Sequence, residues 1–137
     1  MTVDPRVVSA LHEARRAEKA QALFYHALAA AAEQAGDPEA AEALNGLLAD
    51  EQHHLSRLTV QLVEANETLD DLASVAVPPT SYPDWRAHAR AREEAEIARY
   101  ERLVTLPIDG ALATLLREVL AAERQHAARL GGKYMNA

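Results

Sequence analysis

The sequence predicts an all-α protein, a four-helix bundle with one long crossover between its second and third helices. Three observations predict it. Of the 137 residues, 49% are hydrophobic and only five are glycine, with alanine, leucine, glutamate and arginine prominent; this composition favours helix. Apolar residues recur at helical spacing, and nothing suggests a β-sheet. Aspartate, proline and glycine signals cut the chain into two pairs of long periodic segments. The length fits one domain, residues 1–137, with enough chain for a sizeable core.

The elements follow in order. Asp4 is placed to cap a first helix with Pro5 at its first position, and the periodic pattern continues to Gly36. Asp37 and Pro38 repeat the start signal at once, and the second helix is expected to reach about Asn66. The next stretch, NETLDDLASVAVPPTSYP, carries three prolines in its last six residues; Pro78 and Pro79 forbid a continuous helix there. Asp84 is expected to cap a third helix ending before Pro107, and Asp109 a fourth that Gly131-Gly132 stops. Tight turns inside each pair make antiparallel neighbours. The connection of 18 residues, at about 3.3 Å per extended residue, can travel the length of a bundle. Leu69, Leu72, Val75 and Val77 are expected to tack it down, with Trp85 packing against it.

Several classes of function drop out. A net charge of −7 advertises no basic surface for nucleic acid. The absence of cysteine removes disulfides, thiolate zinc sites, iron–sulfur ligation and a thiol nucleophile, and it agrees with a cytoplasmic address. The N-terminal residues show no signal-peptide core, and no apolar run approaches the ~20 residues of a membrane span. There is no glycine-rich phosphate loop and no Ser-His-Asp order. Met1 and Met135, both terminal, offer no clear haem ligand.

The two halves of the chain repeat each other. With Glu51 set on Glu123, His54 meets His126, Leu44 meets Leu116, Arg57 meets Arg129 and Leu58 meets Leu130; LLADEQHHLSRL and VLAAERQHAARL are one pattern written twice. With Glu18 set on Glu93, Tyr25 falls on Tyr100, in EKAQALFY and EEAEIARY. Helices 1 and 3 therefore each offer a Glu followed two turns later by a Tyr, and helices 2 and 4 each offer a Glu-x-x-His. These residues fall on the inward faces. Glu51 and His54 interrupt a stripe of Leu44, Leu47, Leu48, Leu55, Leu58 and Leu62, and Glu123 and His126 interrupt Leu112, Leu116, Val119 and Leu130. Glu18 and Tyr25 share a line with Leu11 and Ala32; Glu93, Glu96, Ile97, Tyr100 and Val104 share one side.

Buried unpaired carboxylates cost several kcal/mol each, and like charges side by side add to that. Four carboxylates set against two divalent cations are neutral, with the imidazoles as uncharged ligands. One Glu-x-x-His on a helix is ordinarily a solvated surface pair; two in register, each with a facing Glu-to-Tyr helix, point to a dinuclear metal site. Other residues have plainer readings. His53 is expected at the surface, about 100° from His54. His12, His26 and His88 lack a glutamate partner at matching inward positions. Glu94 belongs to a charged, solvated run.

Glu, Glu-x-x-His, Glu, Glu-x-x-His on four successive helices resembles the ligand plan of ferritin-like di-iron carboxylate proteins, and the Glu-to-Tyr spacing most resembles their rubrerythrin branch. The resemblance implies two iron ions, with manganese or a mixed pair as alternatives suited to the same O/N donors. Glu51 and Glu123 are expected to bridge the metals, and Glu18 and Glu93 to be terminal ligands beside His54 and His126. It implies Glu96 as an extra ligand, its counterpart in the other half being Gln21. Tyr25 and Tyr100 are expected to orient carboxylates or supply a proton; plain core packing is their simpler reading. Rubrerythrins usually add a four-cysteine rubredoxin domain, and without cysteine an external, unidentified electron donor is needed. The expected function is a non-haem di-iron oxidoreductase acting on peroxide or dioxygen. The alternatives are an iron-handling protein that oxidises Fe²⁺, and a non-catalytic helical module with a structural metal. A homodimer is expected.

Overall fold

A computed structural model describes residues 3–131 and contains four long helices: α1 (Pro5–Gln34), α2 (Pro38–Glu64), α3 (Trp85–Leu103) and α4 (Gly110–Arg129). A single 3-10 turn, Leu72–Ser74, lies in the crossover, and no strand occurs among the described residues. Gly132, Met1 and Met135 lie outside them.

The helix ends show why the chain divides where it does. Asp4 Oδ1 accepts from Arg6 N at 2.8 Å, and Asp37 Oδ1 accepts from Ala40 N at 3.1 Å, each ahead of a proline at the first helical position. Gly36, at φ +71, turns the chain out of α1, and Asp37 N–H returns to Ala32 O at 3.0 Å. Asn66, at φ +60, does the same for α2, with Glu67 N–H on Leu62 O at 3.0 Å; only a residue tolerant of the left-handed region fits there. Asp84 and Asp109 hold the cap positions of α3 and α4, but neither side chain accepts a capping bond. Asp84 sits at ψ 22 rather than extended, and α4 opens on Gly110 at φ +56, so neither carboxylate meets the first turn. α3 ends at Leu103, before Pro107 as expected, with Val104 as its cap.

Packing is most extensive between α1 and α2 and between α3 and α4, while α1 also meets α3 and α2 meets α4. The cross-links run in opposite order, with Arg57 on Glu118 at 2.7 Å and Asp50 on His126 at 2.8 Å, so α2 and α4 are antiparallel. The crossover starts where Arg15 donates to Asp70 O at 3.0 Å and finishes where Tyr82 donates to Asp37 Oδ2 at 2.8 Å. It therefore spans the bundle from the end holding the start of α1 to the α1–α2 turn. Leu69 packs on the core, and Leu72 and Val75 are half-buried. Val77 does not help: it is 54% exposed. A residue before proline favours an extended backbone, in which neighbouring side chains take opposite sides, and half-buried Pro78 takes the inward place.

Two apolar clusters make the core. One gathers Val7, Leu11, Leu58, Leu62, Leu103 and Leu116 at the start of α1. The other gathers Phe24, Leu28, Leu44, Leu47, Trp85 and Leu130 at the opposite end, with Tyr82 of the crossover against it. Each fully buried leucine contributes roughly 1.5–3 kcal/mol. Leu48 and Leu55, expected in the α2 stripe, are only half-buried, because at 100° per residue they fall on its edge; Leu112 and Val104 are half-buried too. Between the clusters the helices present polar groups.

Candidate metal centre

Each helix contributes to this middle layer, and the contributions come from helix interiors, where backbone hydrogen bonding fixes the Cβ directions. Glu18, Glu51, Glu93 and Glu123 are completely buried, His54 is 5% exposed and His126 1%. They form two sets of four. Glu18, Glu51, His54 and Glu123 make one; Glu51, Glu93, Glu123 and His126 make the other; within each set the donor atoms lie within 4.8 Å of one another. Glu51 and Glu123 belong to both.

The histidines point Nδ1 inward. His54 Nδ1 is 3.7 Å from Glu18, 3.6 Å from Glu51 and 3.5 Å from Glu123. His126 Nδ1 is 3.5 Å from Glu51, 3.4 Å from Glu93 and 3.2 Å from Glu123. The rings stand 6.4 Å apart, nearly parallel. The tyrosines cross between halves: Tyr25 donates to Glu93 at 2.5 Å and Tyr100 donates to Glu18 at 2.6 Å. Both are fully buried, so each hydroxyl fixes one carboxylate oxygen.

The electrostatics are those of several acidic groups crowded into a low-dielectric interior. Burial pushes Glu51 well above the usual carboxylate range, with Glu18, Glu123 and Glu93 adding to it. Burial likewise raises Glu123, against the pull of His126. Burial works to strip the proton from His126, but its contacts with Glu123 and Glu93 win and raise it to about 10. Tyr25 and Tyr100 are raised by burial and then by Glu93 and Glu18 respectively. Shifts in this direction mark a place where added positive charge, a cation or a proton, is favoured.

A donor set built for cations leaves donor atoms without hydrogen bonds, and that is found here. Glu18 Oε2, both oxygens of Glu51, both of Glu123, Glu93 Oε2 and Nδ1 of both histidines are buried with no hydrogen-bond partner. Buried polar atoms are almost always satisfied, so eight orphans facing one another fit metal ions. Mixed carboxylate and imidazole ligation is compatible with iron.

Glu96 is buried, 6% exposed, yet stands outside both sets. Arg99 Nε lies 3.7 Å from it. Burial, then Glu18, raises it to about 7. Its counterpart Gln21 sits between Arg92 Nε, 2.8 Å from its oxygen, and Glu93, 3.4 Å from its nitrogen. His53, His26 and His88 are exposed, away from the cage, and His12 faces Glu67 and Asp70 at 3.6 and 3.7 Å. Asp50 was not evident from the sequence. It precedes Glu51 and reaches His126 Nε2 at 2.8 Å. The one hint was an acidic side chain where the repeat has Ala122.

The sequence model of the rubrerythrin family matches residues 9–134. The chain belongs to the rubrerythrin family. No curated protein matches it. Among solved structures, this rubrerythrin-family chain is similar to the Mycobacterium tuberculosis bacterioferritin BfrA, at 21% identity and a TM-score of 0.83, over 95% of this chain and 84% of that one. At that identity the likeness shows the fold: an all-α four-helix bundle. No described helix is long and apolar enough to cross a membrane.

Proposed function

We propose that this rubrerythrin-family chain is a di-iron oxidoreductase that reduces peroxide or dioxygen. The observation that carries the reading is the pair of buried four-residue sets sharing Glu51 and Glu123, with their donor atoms otherwise unpartnered. Glu18 and His54 would hold one ion, Glu93 and His126 the other, with Glu51 and Glu123 shared; Glu96, outside both sets, would be an extra ligand. A bound pair of iron ions would supply two electrons to an oxygen–oxygen bond. The chain's own residues do the rest. Tyr25 and Tyr100 orient the terminal carboxylates and keep their protons at the hydroxyl oxygen, because burial beside Glu93 and Glu18 raises both. The apolar clusters on either side exclude bulk water. These 137 residues contain no cysteine, so electrons come from a donor outside them. The reading extends to a homodimer, which light scattering checks.

The same donors would also serve an iron-handling protein with Fe²⁺ as substrate, a reading favoured by the likeness to a bacterioferritin. Metal analysis of protein purified without added metal is expected to give two irons per chain. Turnover of hydrogen peroxide with an artificial donor, set against aerobic Fe²⁺ oxidation, then decides. Faster Fe²⁺ oxidation with no peroxide turnover rejects the first reading, and a chain that binds no metal rejects both.

A further inference from the structure

Setting the two halves in register pairs Glu51 with Glu123 and His54 with His126, but Asp50 with Ala122. In the fold this difference falls on one histidine. His126 Nε2 lies 2.8 Å from Asp50 Oδ2 on the facing helix. The equivalent neighbour of His54 would be Ala122, whose methyl accepts nothing, and no side-chain hydrogen bond to His54 occurs among the described residues.

The terminal carboxylates differ in the same direction. Glu93 Oε1 accepts from Tyr25 at 2.5 Å and faces the Gln21 amide at 3.4 Å. Gln21 is itself held by Arg92 at 2.8 Å, and Arg92 lies over the Phe24 ring at 4.8 Å. Glu18 accepts from Tyr100 alone, at 2.6 Å; the residue matching Gln21 is Glu96, which offers no amide donor. So Glu93 and His126 are each fixed from behind, whereas Glu18 has one support and His54 has none.

An imidazole that donates Nε2–H to a carboxylate keeps its lone pair on Nδ1 and is more basic there. Nδ1 is the atom that His126 turns into the cage. Ligands already held in place lose less freedom on binding, and that difference appears as affinity.

We propose that Asp50 is a positioning residue that makes the two metal positions unequal, so that the Glu93–His126 position fills first and holds its ion more tightly than the Glu18–His54 position. This rests on the dinuclear reading above. The test is titration of the metal-free full chain with Co²⁺, followed by calorimetry and visible absorption. Wild type is expected to bind in two resolved steps. Crystals given one equivalent are expected to show the stronger anomalous peak beside His126. Asp50→Ala is expected to weaken the first step 10–100-fold and leave the second unchanged; Asp50→Asn is expected to show a smaller loss. Ala122→Asp is expected to tighten the second step. Asp50 is about half exposed, at 51% for its side chain, so these variants fold, and melting of the metal-free proteins checks that. Two equal steps in wild type, unchanged constants in Asp50→Ala, or a stronger peak beside His54 each overturn the inference while the dinuclear reading stands. Absence of Co²⁺ binding by wild type overturns both.

Discussion

At either end of the bundle the side chains that meet are leucine, valine, alanine and aromatic rings. At mid-height the same four helices bring together four glutamates and two histidines. The ends satisfy themselves: every contact removes apolar surface from water, and no partner is needed. The middle is the opposite case. Its burial is imposed by the packing above and below it, and its charges repel until cations or protons arrive. The ends hold four helices still while the middle stays poised for a ligand, a division of labour in which stability is placed beside the site rather than in it.

The contrast can be broken most directly at a shared carboxylate. Glu123→Ala is expected to reduce bound metal from two ions to fewer than one per chain, by elemental analysis; retention of two would mean that Glu123 is no ligand. Next in size, Leu58→Ala, on α2 in the cluster beside the start of α1, is expected to cost about 2–5 kcal/mol in denaturant unfolding, with or without metal. Equal insensitivity to metal is the point, since an end cluster has no stake in the cage.

Glu51→Gln should act in the reverse sense. It removes a buried carboxyl that must either repel its neighbours or take up a proton, so the metal-free protein is expected to gain about 1–2 kcal/mol at pH 8 while metal binding weakens. The pH dependence of the metal-free wild type sharpens the same comparison. Glu96, raised to about 7, favours the folded state fully below the usual carboxylate range, and this is lost as pH rises through 7. His126, raised to about 10, gives a stabilisation that is complete below the ordinary histidine range and fades towards pH 10. Metal-free protein is therefore expected to melt lower at pH 9 than at pH 6, by the equivalent of at least about 1 kcal/mol. Metal-loaded protein should lose this slope, because cations then hold the charge that protons held. The smallest effect belongs to Tyr82→Phe, which frees the crossover from Asp37. It is expected to speed proteolysis between residues 66 and 83 with little change in melting temperature or metal content.

Much of this was legible in the sequence, for physical reasons. Helices α1 and α2 announce themselves because Asp-Pro starts and left-handed stops are local signals. The six cage residues are legible because they are written twice, and duplication separates a constrained pattern from chance. Asp50 escaped that test: the repeat has alanine at the matching position, so only the fold shows it meeting His126. Arg15 escaped because its partners, Thr59 and the carbonyl of Asp70, are distant in sequence. The capping roles expected of Asp84 and Asp109 failed because residue type alone does not set ψ or the entry angle of the chain. Val77 looked like a core residue by composition, yet the side an extended segment presents depends on where the neighbouring prolines settle.

The bundle-length crossover also governs how the polypeptide can be rewired. Because that segment returns the chain to the α1–α2 turn before α3 begins, α4 finishes beside Trp85, at the far end of the molecule from Pro5. A circular permutant joining α4 back to α1 would need a second strap as long as the first. Fluorophores or fusion partners placed at the outer ends of α1 and α4 would in turn be held about 30 Å apart, the span of some 20 helical residues.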